Sequence, residues 1–233
     1  MAGEHWYNQE GKADYGHDVK TARKRNLVPS VTTILGVLDK PGLNYWKMEG
    51  GIITASKMPK KEDEDDKTYS KRIMAVFYAD NKAAATGTML HDFCEKQAAP
   101  VPLGFEGVCK LIREYQENNL SRVISEESFS YTDLGFGGRV DCYGLKKDGR
   151  RFILDWKSQA PKNGEFTVYD EWVYQLSAYS KGDAEIEHIS VIISSDPKTP
   201  KIQEHIWTGE EVKDGYEVFN ACKLIWQKKN SKM

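Results

Sequence analysis

One segment of this sequence combines two carboxylates and a lysine in an order that suits metal chemistry. Asp141, Asp155 and Lys157 lie within residues 135–159, in stretches that predict neighbouring β-strands. Carboxylates can hold a divalent cation such as Mg²⁺, which prefers oxygen ligands and keeps several waters. The cation lowers the pKa of a bound water, and a nearby lysine can orient that water or stabilise charge on phosphorus. The set therefore has the composition of a site that hydrolyses phosphodiesters.

The tripeptide that ends at Lys157 is informative only in its context, because the pattern Asp/Glu-x-Lys occurs seven times in the chain. Only Asp155 follows a continuous apolar run, residues 152–154, which predicts a buried central strand. Asp155 and Lys157 are two residues apart and therefore share one face of that strand. The turn at residues 146–150 predicts antiparallel neighbours and places Asp141 opposite or diagonal to Asp155. An ordinary Asp–Lys pair at a solvent-exposed strand is the alternative interpretation.

Composition limits the classes of protein to consider. The chain has 233 residues, of which 29% are charged, and it contains no apolar run of membrane-spanning length. We therefore expect a soluble, cytoplasmic protein without a membrane partner. The four cysteines form no Cys-x-x-Cys pair, which disfavours a zinc ribbon or an iron–sulfur cluster. The net charge of -2 disfavours a nucleic-acid binder held by bulk charge but permits one basic groove.

The order of segments predicts an α/β fold with a mixed central sheet flanked by helices. We expect residues 1–85 to form an N-terminal segment and helical elaboration, and residues 86–233 to form the core, within one compact domain overall. Residues 1–28 are polar and are expected to be irregular. Ser30, Thr32 or Thr33 is placed to cap a short helix, and a later helix is expected to begin after Thr88.

Several polar residues around the strand pair add to the candidate site. His91 and Glu95 are four residues apart on a predicted helix and share a face. Glu126 precedes the first candidate strand aspartate, and either it or its neighbour Glu127 faces inward, because adjacent strand residues point oppositely. Gln175 and Tyr179 share a helix face and can hydrogen-bond a DNA phosphate or the lysine. A buried helix face and surface charges are the competing accounts.

Together these motifs resemble the PD-(D/E)XK nuclease superfamily and, within it, the RecB-like exonucleases of phages and mitochondria. The resemblance covers about residues 86–195, and the N-terminal stretch VPSVTTILGVLDKPGLNYW is also similar to the opening of phage and mitochondrial members. It implies a restriction-endonuclease-like core. The motifs follow in order: His91, Glu126, Gly-Arg-Val-Asp ending at Asp141, Leu-Asp-Trp-Lys ending at Lys157, and Gln-x-x-x-Tyr ending at Tyr179.

The resemblance also implies a role for each matching residue. Catalysis would involve Asp141, Asp155, Lys157 and Glu126, with Lys157 assisting the attacking water. The metal, Mg²⁺ or Mn²⁺, would be bound by a set comprising His91, Asp141, Asp155 and Trp156. The DNA backbone would be positioned by Gln175 and Tyr179, and the opening Ser30, Thr32 and Thr33 would lie near the DNA end.

The function expected from these features is metal-dependent hydrolysis of DNA phosphodiesters, from an end and with single-stranded DNA favoured, in recombination, repair or DNA processing. Trp46, Tyr78 and Trp172 are candidates for stacking on splayed bases. The chain lacks a phosphate-binding G-x-x-x-x-G-K-[ST] motif, so unwinding would require a protein partner. The alternatives are a structure-specific endonuclease on the same core and a non-catalytic DNA-binding module. A bacterial or phage-infected cytoplasm is the expected location.

Overall fold

A mixed β-sheet with helices on both faces carries the candidate residues. The computed structural model describes residues 5–79, 82–96 and 100–231. Its strands are β1 His5–Tyr7, β2 Ala13–Tyr15, β3 Val28–Pro29, β4 Leu120–Tyr131, β5 Phe136–Lys146, β6 Arg151–Gln159, β7 Glu187–Ser194 and β8 Ile202–Trp207. Its helices are α1 Val19–Lys24, α2 Val31–Leu35, α3 Pro41–Lys57, α4 Asp66–Ala79, α5 Lys82–Glu95, α6 Glu106–Asn119, α7 Glu171–Ser180 and α8 Gly209–Asn230.

The five longer strands form one sheet in the order β4-β5-β6-β7-β8. The pairs β4–β5, β5–β6 and β7–β8 are antiparallel, while β6 and β7 are parallel. The parallel pair requires a crossover connection, and α7 forms that connection. The prediction of an α/β fold with a mixed central sheet flanked by helices is confirmed.

Apolar side chains on both faces of β6 explain why both faces of the sheet are covered by helices. Ile153 packs in a cluster that contains residues of α2, α7 and α8. Leu154 and Trp156 of the same strand contribute to a second cluster with residues of α6 and the end of α5. Successive strand residues point to opposite faces, so a strand that is apolar throughout is buried on both sides, as the sequence predicts for β6.

The contacts divide the chain into two units, one comprising Met1–Leu38 and Met89–Met233 and the other Asp39–Thr88. Within the second unit, Gly50 allows close packing, since a Cβ there would lie 2.1 Å from the Phe77 ring. Arg72 donates two hydrogen bonds to Glu64, at 2.8 and 2.7 Å, and lowers the pKa of Glu64 to about 2. This bidentate pair ties the loop before α4 to that helix.

The start of α5 differs from the prediction. The helix begins at Lys82 rather than after Thr88, so the expectation that the Thr-Gly-Thr segment opens a helix is wrong. The alanines of residues 83–85 are strong helix formers and outweigh the unfavourable propensity of Gly87.

The expectation of an irregular N-terminal segment is wrong for residues 5–28. These residues contribute strands β1, β2 and β3, which form a small sheet in the order β2-β1-β3, and helix α1. Trp6 is 1% exposed and packs edge-to-face against Trp226 of α8, with ring centroids 5.9 Å apart. Burial of this indole anchors a segment whose composition is otherwise polar. Across the described ranges, no helix is long and apolar enough to cross a membrane.

Candidate active site

Strands β5 and β6 bring Asp141 and Asp155 side by side. Their antiparallel ladder ends at the pair Cys142–Leu154, so the two aspartates are the next residues along the two strands. Asp141 Oδ2 accepts a hydrogen bond from the backbone N–H of Trp156 at 2.9 Å, which orients the carboxylate towards its neighbour. Asp155 is only 3% exposed. The predicted pairing of these two carboxylates is therefore present.

The proximity of a buried carboxylate, Asp155, to the largely buried carboxylate of Asp141 disfavours a negative charge on both. The pKa of Asp141 lies well above its usual value, chiefly because burial penalises the charged form and also because Asp155 is nearby. The Trp156 N–H and Lys157 oppose this shift. A site that concentrates negative charge in this way is suited to a bound cation, which would relieve the repulsion.

Lys157 and Gln175 complete a polar network around Asp155. The Lys157 ammonium forms an ion pair with Asp155 Oδ2 and donates to Gln175 Oε1 at 3.2 Å. Gln175 Nε2 in turn donates to Asp155 Oδ1 at 3.3 Å and to the Tyr179 hydroxyl at 2.7 Å. Gln175 thus orients both charged groups at once. Of the two predicted roles for Gln175, the contact with the lysine is present, and the contact with DNA remains a prediction.

Tyr179 supports this network from within the core. Its side chain is 6% exposed, and burial holds the pKa of its phenol well above the usual value, so the hydroxyl stays neutral. Gly138 gives the ring the space it occupies, because a Cβ at Gly138 would lie 2.8 Å from a Tyr179 ring carbon. Packing against the Tyr179 ring therefore requires glycine at position 138, directly before the Arg-Val-Asp motif. The predicted contact of Tyr179 with DNA remains a prediction.

If the expected nuclease activity is present, Gln175→Leu should lower its rate about ten- to a hundredfold, the range typical of losing a residue that orients a metal ligand. Leucine has similar volume but cannot hold Lys157 and Asp155 in their present orientation. Tyr179→Phe removes one hydrogen bond to Gln175 and should cost much less. Single-turnover cleavage of single-stranded DNA in Mn²⁺ would measure both. Equal activities for Gln175→Leu and the wild-type protein would contradict a positioning role.

Helix α5 places His91 beside Asp141. The distance from His91 Nδ1 to Asp141 Oδ2 is 3.7 Å, and the ring also hydrogen-bonds the backbone of Trp156. Burial lowers the pKa of His91, although the charge of Asp155 opposes the shift. The imidazole is therefore neutral at physiological pH, the form in which histidine binds metals.

Glu126 faces the site through an unusual backbone conformation. It lies on β4 between the residues paired with Cys142 and Val140, opposite Asp141, and its φ of 59° is left-handed. A non-glycine residue in this region costs on the order of 1–3 kcal/mol and is typical of functional sites. Of the two candidate glutamates, Glu126 is the one whose charge acts on Asp141, while the Glu127 carboxylate bonds the Tyr143 hydroxyl.

Two residues for which the sequence predicted no catalytic or binding role, Glu95 and Arg139, lie next to Glu126. Burial, followed by the nearby carboxyl of Glu95, raises the pKa of Glu126 to about 7. Arg139 Nε lies 2.5 Å from Glu126 Oε2 and opposes the shift. The i,i+4 spacing of His91 and Glu95 on α5 was the available signal for Glu95. For Arg139, the signal was its place two residues before Asp141.

The raised pKa of Glu126 predicts a pH dependence for the metal-free protein. A carboxyl whose pKa rises from 4.5 to about 7 on folding stabilises the fold below the unfolded pKa, and that contribution is lost as the pH rises through 7. We expect the free energy of unfolding in EDTA to fall between about pH 5 and 8, by on the order of 1 kcal/mol after solvent screening. Glu126→Gln should flatten this part of the profile, as measured by circular dichroism. An unchanged profile would refute the assignment.

The donor set fits a hard divalent cation that keeps some of its waters. Within the described ranges, no three His, Cys, Asp or Glu side chains are grouped to hold a metal by themselves. Mg²⁺ commonly takes only one or two carboxylates, completed by water and substrate phosphate. Asp155 Oδ2 is buried without a well-formed hydrogen bond, and the Lys157 ammonium stands beside it as the counter-ion. The Trp156 indole is in the core, so only the backbone of Trp156 can contribute.

The predicted serine and threonine contacts lie at the start of α2. Ser30 is 3% exposed, and its hydroxyl caps the helix by accepting from the Thr33 N–H at 3.0 Å. The same hydroxyl bonds the side chains of Thr32 and Thr33 at 3.0 and 2.9 Å. The predicted helix cap at Ser30 is confirmed. Contacts of Ser30, Thr32 and Thr33 with DNA remain predictions.

No family model matches the chain, and no curated protein matches it. One solved structure with similarity is described as "Crystal structure of SSO0001". The similarity covers 77% of this chain and 85% of that chain, with 13% sequence identity and a TM-score of 0.32. A similarity at that TM-score carries no argument about fold or function.

Proposed function

We propose that the protein is a metal-dependent deoxyribonuclease of the PD-(D/E)XK superfamily, of the RecB-like type, which hydrolyses phosphodiester bonds from DNA ends and favours single-stranded DNA. The observation that carries the proposal is the convergence of Asp141, Asp155 and Lys157, which come from adjacent strands, on one buried polar site. A non-catalytic descendant of the fold would have no need to retain all three groups. Their shared contacts with Gln175 and His91 favour a working site.

Each residue of the site has a role that follows from its environment. A bound Mg²⁺ or Mn²⁺ would supply an acidified water and would neutralise charge on the phosphate. Asp141, Asp155 and neutral His91 would hold it, together with the Trp156 backbone. Lys157 would then exchange its ion pair with Asp155 for a contact with the attacking water or the phosphate oxygens. Gln175 holds Lys157 in reach of that position throughout.

Glu126 is suited to proton transfer at this site. A carboxyl with a pKa of about 7 is poised near the operating pH, as general acid–base catalysis requires. Its contacts with Glu95 and Arg139 provide a second carboxyl and a cation, which can stabilise either protonation state. We propose that Glu126 accepts or relays a proton from the water that attacks phosphorus.

The proposal extends to the surroundings of the protein. The chain carries no nucleotide-driven motor motif, so a partner would have to supply unwinding where duplex DNA is the substrate. A location in the cytoplasm of a bacterial or phage-infected cell would bring the enzyme to DNA in recombination, repair or processing. The four cysteines are free and buried, which is compatible with that reducing compartment.

The decisive test compares linear and circular DNA. Linear single-stranded DNA labelled at either end, its duplex counterpart and an intact single-stranded circle are incubated with Mg²⁺, Mn²⁺ or EDTA. We expect the linear single strand to be degraded with either metal, the circle to survive, and EDTA to abolish cleavage. Cleavage of the circle would instead indicate an endonuclease on the same core. Intact linear DNA with both metals would exclude the enzyme and leave a binding module.

A further inference from the structure

An aromatic pair, Tyr169 and Trp172, stands beside the candidate catalytic lysine. The Trp172 ring centroid is 5.9 Å from Lys157 Nζ, within the range of a cation–π contact. Tyr169 packs edge-to-face on Trp172 with ring centroids 5.4 Å apart and is 50% exposed. The contacts from Lys157 to Trp172 and from Trp172 to Tyr169 lead from the candidate site to a half-exposed aromatic ring.

The segment that carries Tyr169 is held in place before any ligand binds. Gln159, at the end of β6, accepts from the Thr167 N–H at 2.7 Å and donates to the Thr167 carbonyl at 3.2 Å. Lys162 and Glu165 exchange backbone hydrogen bonds at 2.9 and 3.0 Å. The Tyr169 carbonyl accepts the backbone N–H of Trp172 as α7 begins. The aromatic surface is therefore preorganised relative to the strand that bears Asp155 and Lys157.

We infer that Tyr169, supported by Trp172, forms a stacking subsite for the nucleobase next to the phosphate held at Lys157. The inference rests on the proposed function, since it takes that phosphate as the reacting group. A half-exposed tyrosine presents a flat π-surface to a base, and such stacking tolerates every base type. The bases of a duplex are already stacked on their neighbours, whereas those of a single strand are available. Tyr169 is thus a determinant of the preference for single strands.

The test measures binding without cleavage. A fluorescein-labelled oligodeoxythymidylate of about 15 nucleotides, within the site size of single-strand binders, is titrated with protein in EDTA. A second probe of the same length carries abasic sugars, which keep the phosphates but lack the bases. We expect Tyr169→Ala to weaken binding of the thymidylate probe about tenfold, the range of one lost stacking contact. Binding of the abasic probe should not change.

Matched variants separate stacking from other effects. Tyr169→Phe keeps the ring and should bind both probes like the wild-type protein. Tyr169→Leu keeps apolar area but loses the ring, so it should behave like Tyr169→Ala, and it serves as the test variant if the alanine variant unfolds. Equal binding of the thymidylate probe by the alanine variant and the wild-type protein would overturn the inference. Equal losses on both probes, or no binding of either probe by the wild-type protein, would overturn it as well.

The outcome separates the subsite from the nuclease proposal. Wild-type protein that shows the Tyr169-dependent preference for bases but cuts no DNA in Mg²⁺ or Mn²⁺ would support the subsite and overturn the nuclease. Wild-type protein that degrades linear DNA, with Tyr169→Ala unaltered in binding and in KM, would support the nuclease and overturn the subsite. In the active enzyme we expect the alanine substitution to raise KM for single strands about tenfold at nearly constant kcat.

Discussion

Asp155→Asn should lower the proposed DNA cleavage by at least about a thousandfold, because it removes the charge of a proposed metal ligand, and such a ligand is worth several kcal/mol in the transition state. Asparagine keeps the size of the side chain and one oxygen for the Gln175 hydrogen bond. It cannot hold a divalent cation with the same strength, since it lacks the negative charge. Cleavage of end-labelled single-stranded DNA in Mg²⁺ and Mn²⁺ would measure the loss.

The same substitution should leave the metal-free fold nearly unchanged in stability. Removing the charge of Asp155 relieves its repulsion of Asp141, which contributes to the raised pKa of Asp141. It also removes the ion pair with Lys157, and the two effects oppose each other. We expect the free energy of unfolding in EDTA to change by less than about 1 kcal/mol, or roughly 2–4 °C in Tm for a chain of this size.

Asp148→Asn is the matched control. Asp148 lies in the turn at the other end of the β5–β6 pair, is exposed, and forms an ion pair with Arg150 at 2.6 Å. Exposed pairs of this kind contribute little to stability, and this one is remote from Asp141 along the strands. Its neutralisation should leave cleavage intact. Asp155→Asn protein that is folded and retains a tenth or more of the wild-type rate would reject Asp155 as a metal ligand.

Lys157→Ala should reduce the cleavage rate about a hundred- to a thousandfold, the cost typical of losing one preorganised electrostatic group, while DNA binding in EDTA is retained. Binding of a nucleic acid is distributed over many phosphate contacts, and Lys157 would supply only one of them in the proposed complex. Single-turnover kinetics and fluorescence anisotropy would separate the two quantities. Cleavage close to that of the wild-type protein would remove Lys157 from the catalytic set.

The lysine substitution also has a consequence for stability. Without Lys157, Asp155 and Asp141 lose the cation that opposes their charge. We therefore expect the metal-free alanine variant to unfold more easily at neutral pH, by about 1–3 kcal/mol, since the pair is partly exposed and the full buried-pair cost does not apply. Added Mn²⁺ should stabilise this variant at least as much as the wild-type protein. That thermal shift reports metal binding independently of activity.

Two further substitutions distinguish charge from geometry. Lys157→Arg keeps a cation beside Asp155 and should recover most of the stability. It should not recover cleavage, because the planar guanidinium has a different shape and hydrogen-bond geometry from an ammonium. Lys147→Ala removes an exposed lysine in the turn before β6 and should alter neither property. Full activity of the arginine variant would indicate that only the positive charge matters.

Much of the core strand pair could be predicted from local pattern. The apolar run before Asp155 predicts a strand buried on both faces, and β6 is such a strand. The Lys-Lys-Asp-Gly-Arg turn predicts an antiparallel partner, which β5 provides. The polar face of α7 predicts that Gln175 and Tyr179 lie together, and they share a hydrogen bond of 2.7 Å. These features depend on periods of two and about four residues, which a single sequence displays.

Other features depend on contacts between residues far apart in the chain. The sequence of the N-terminal strands is polar and predicts an irregular segment. These strands are stabilised by the ring contact between Trp6 and Trp226 of α8. The proximity of Glu95 to Glu126 joins a helix to a strand across a gap of about thirty residues. Glu126 adopts the left-handed conformation, which glycine favours, so its residue type does not predict it. No periodicity records such pairings, since each results from the packing of separate elements.

The sequence by itself therefore determined the candidate chemistry, because two aspartates and a lysine on adjacent strands follow from alternation and a short turn. It also determined the fold class, through the order of strands and helices. Only the tertiary structure decided how the site is held. Burial and the neighbouring charge raise the pKa of Asp141, Gln175 bridges Lys157 and Asp155, and Glu126 faces the carboxylates. Solvation and electrostatic interactions depend on burial and on distances between atoms, and these are defined only in the folded structure.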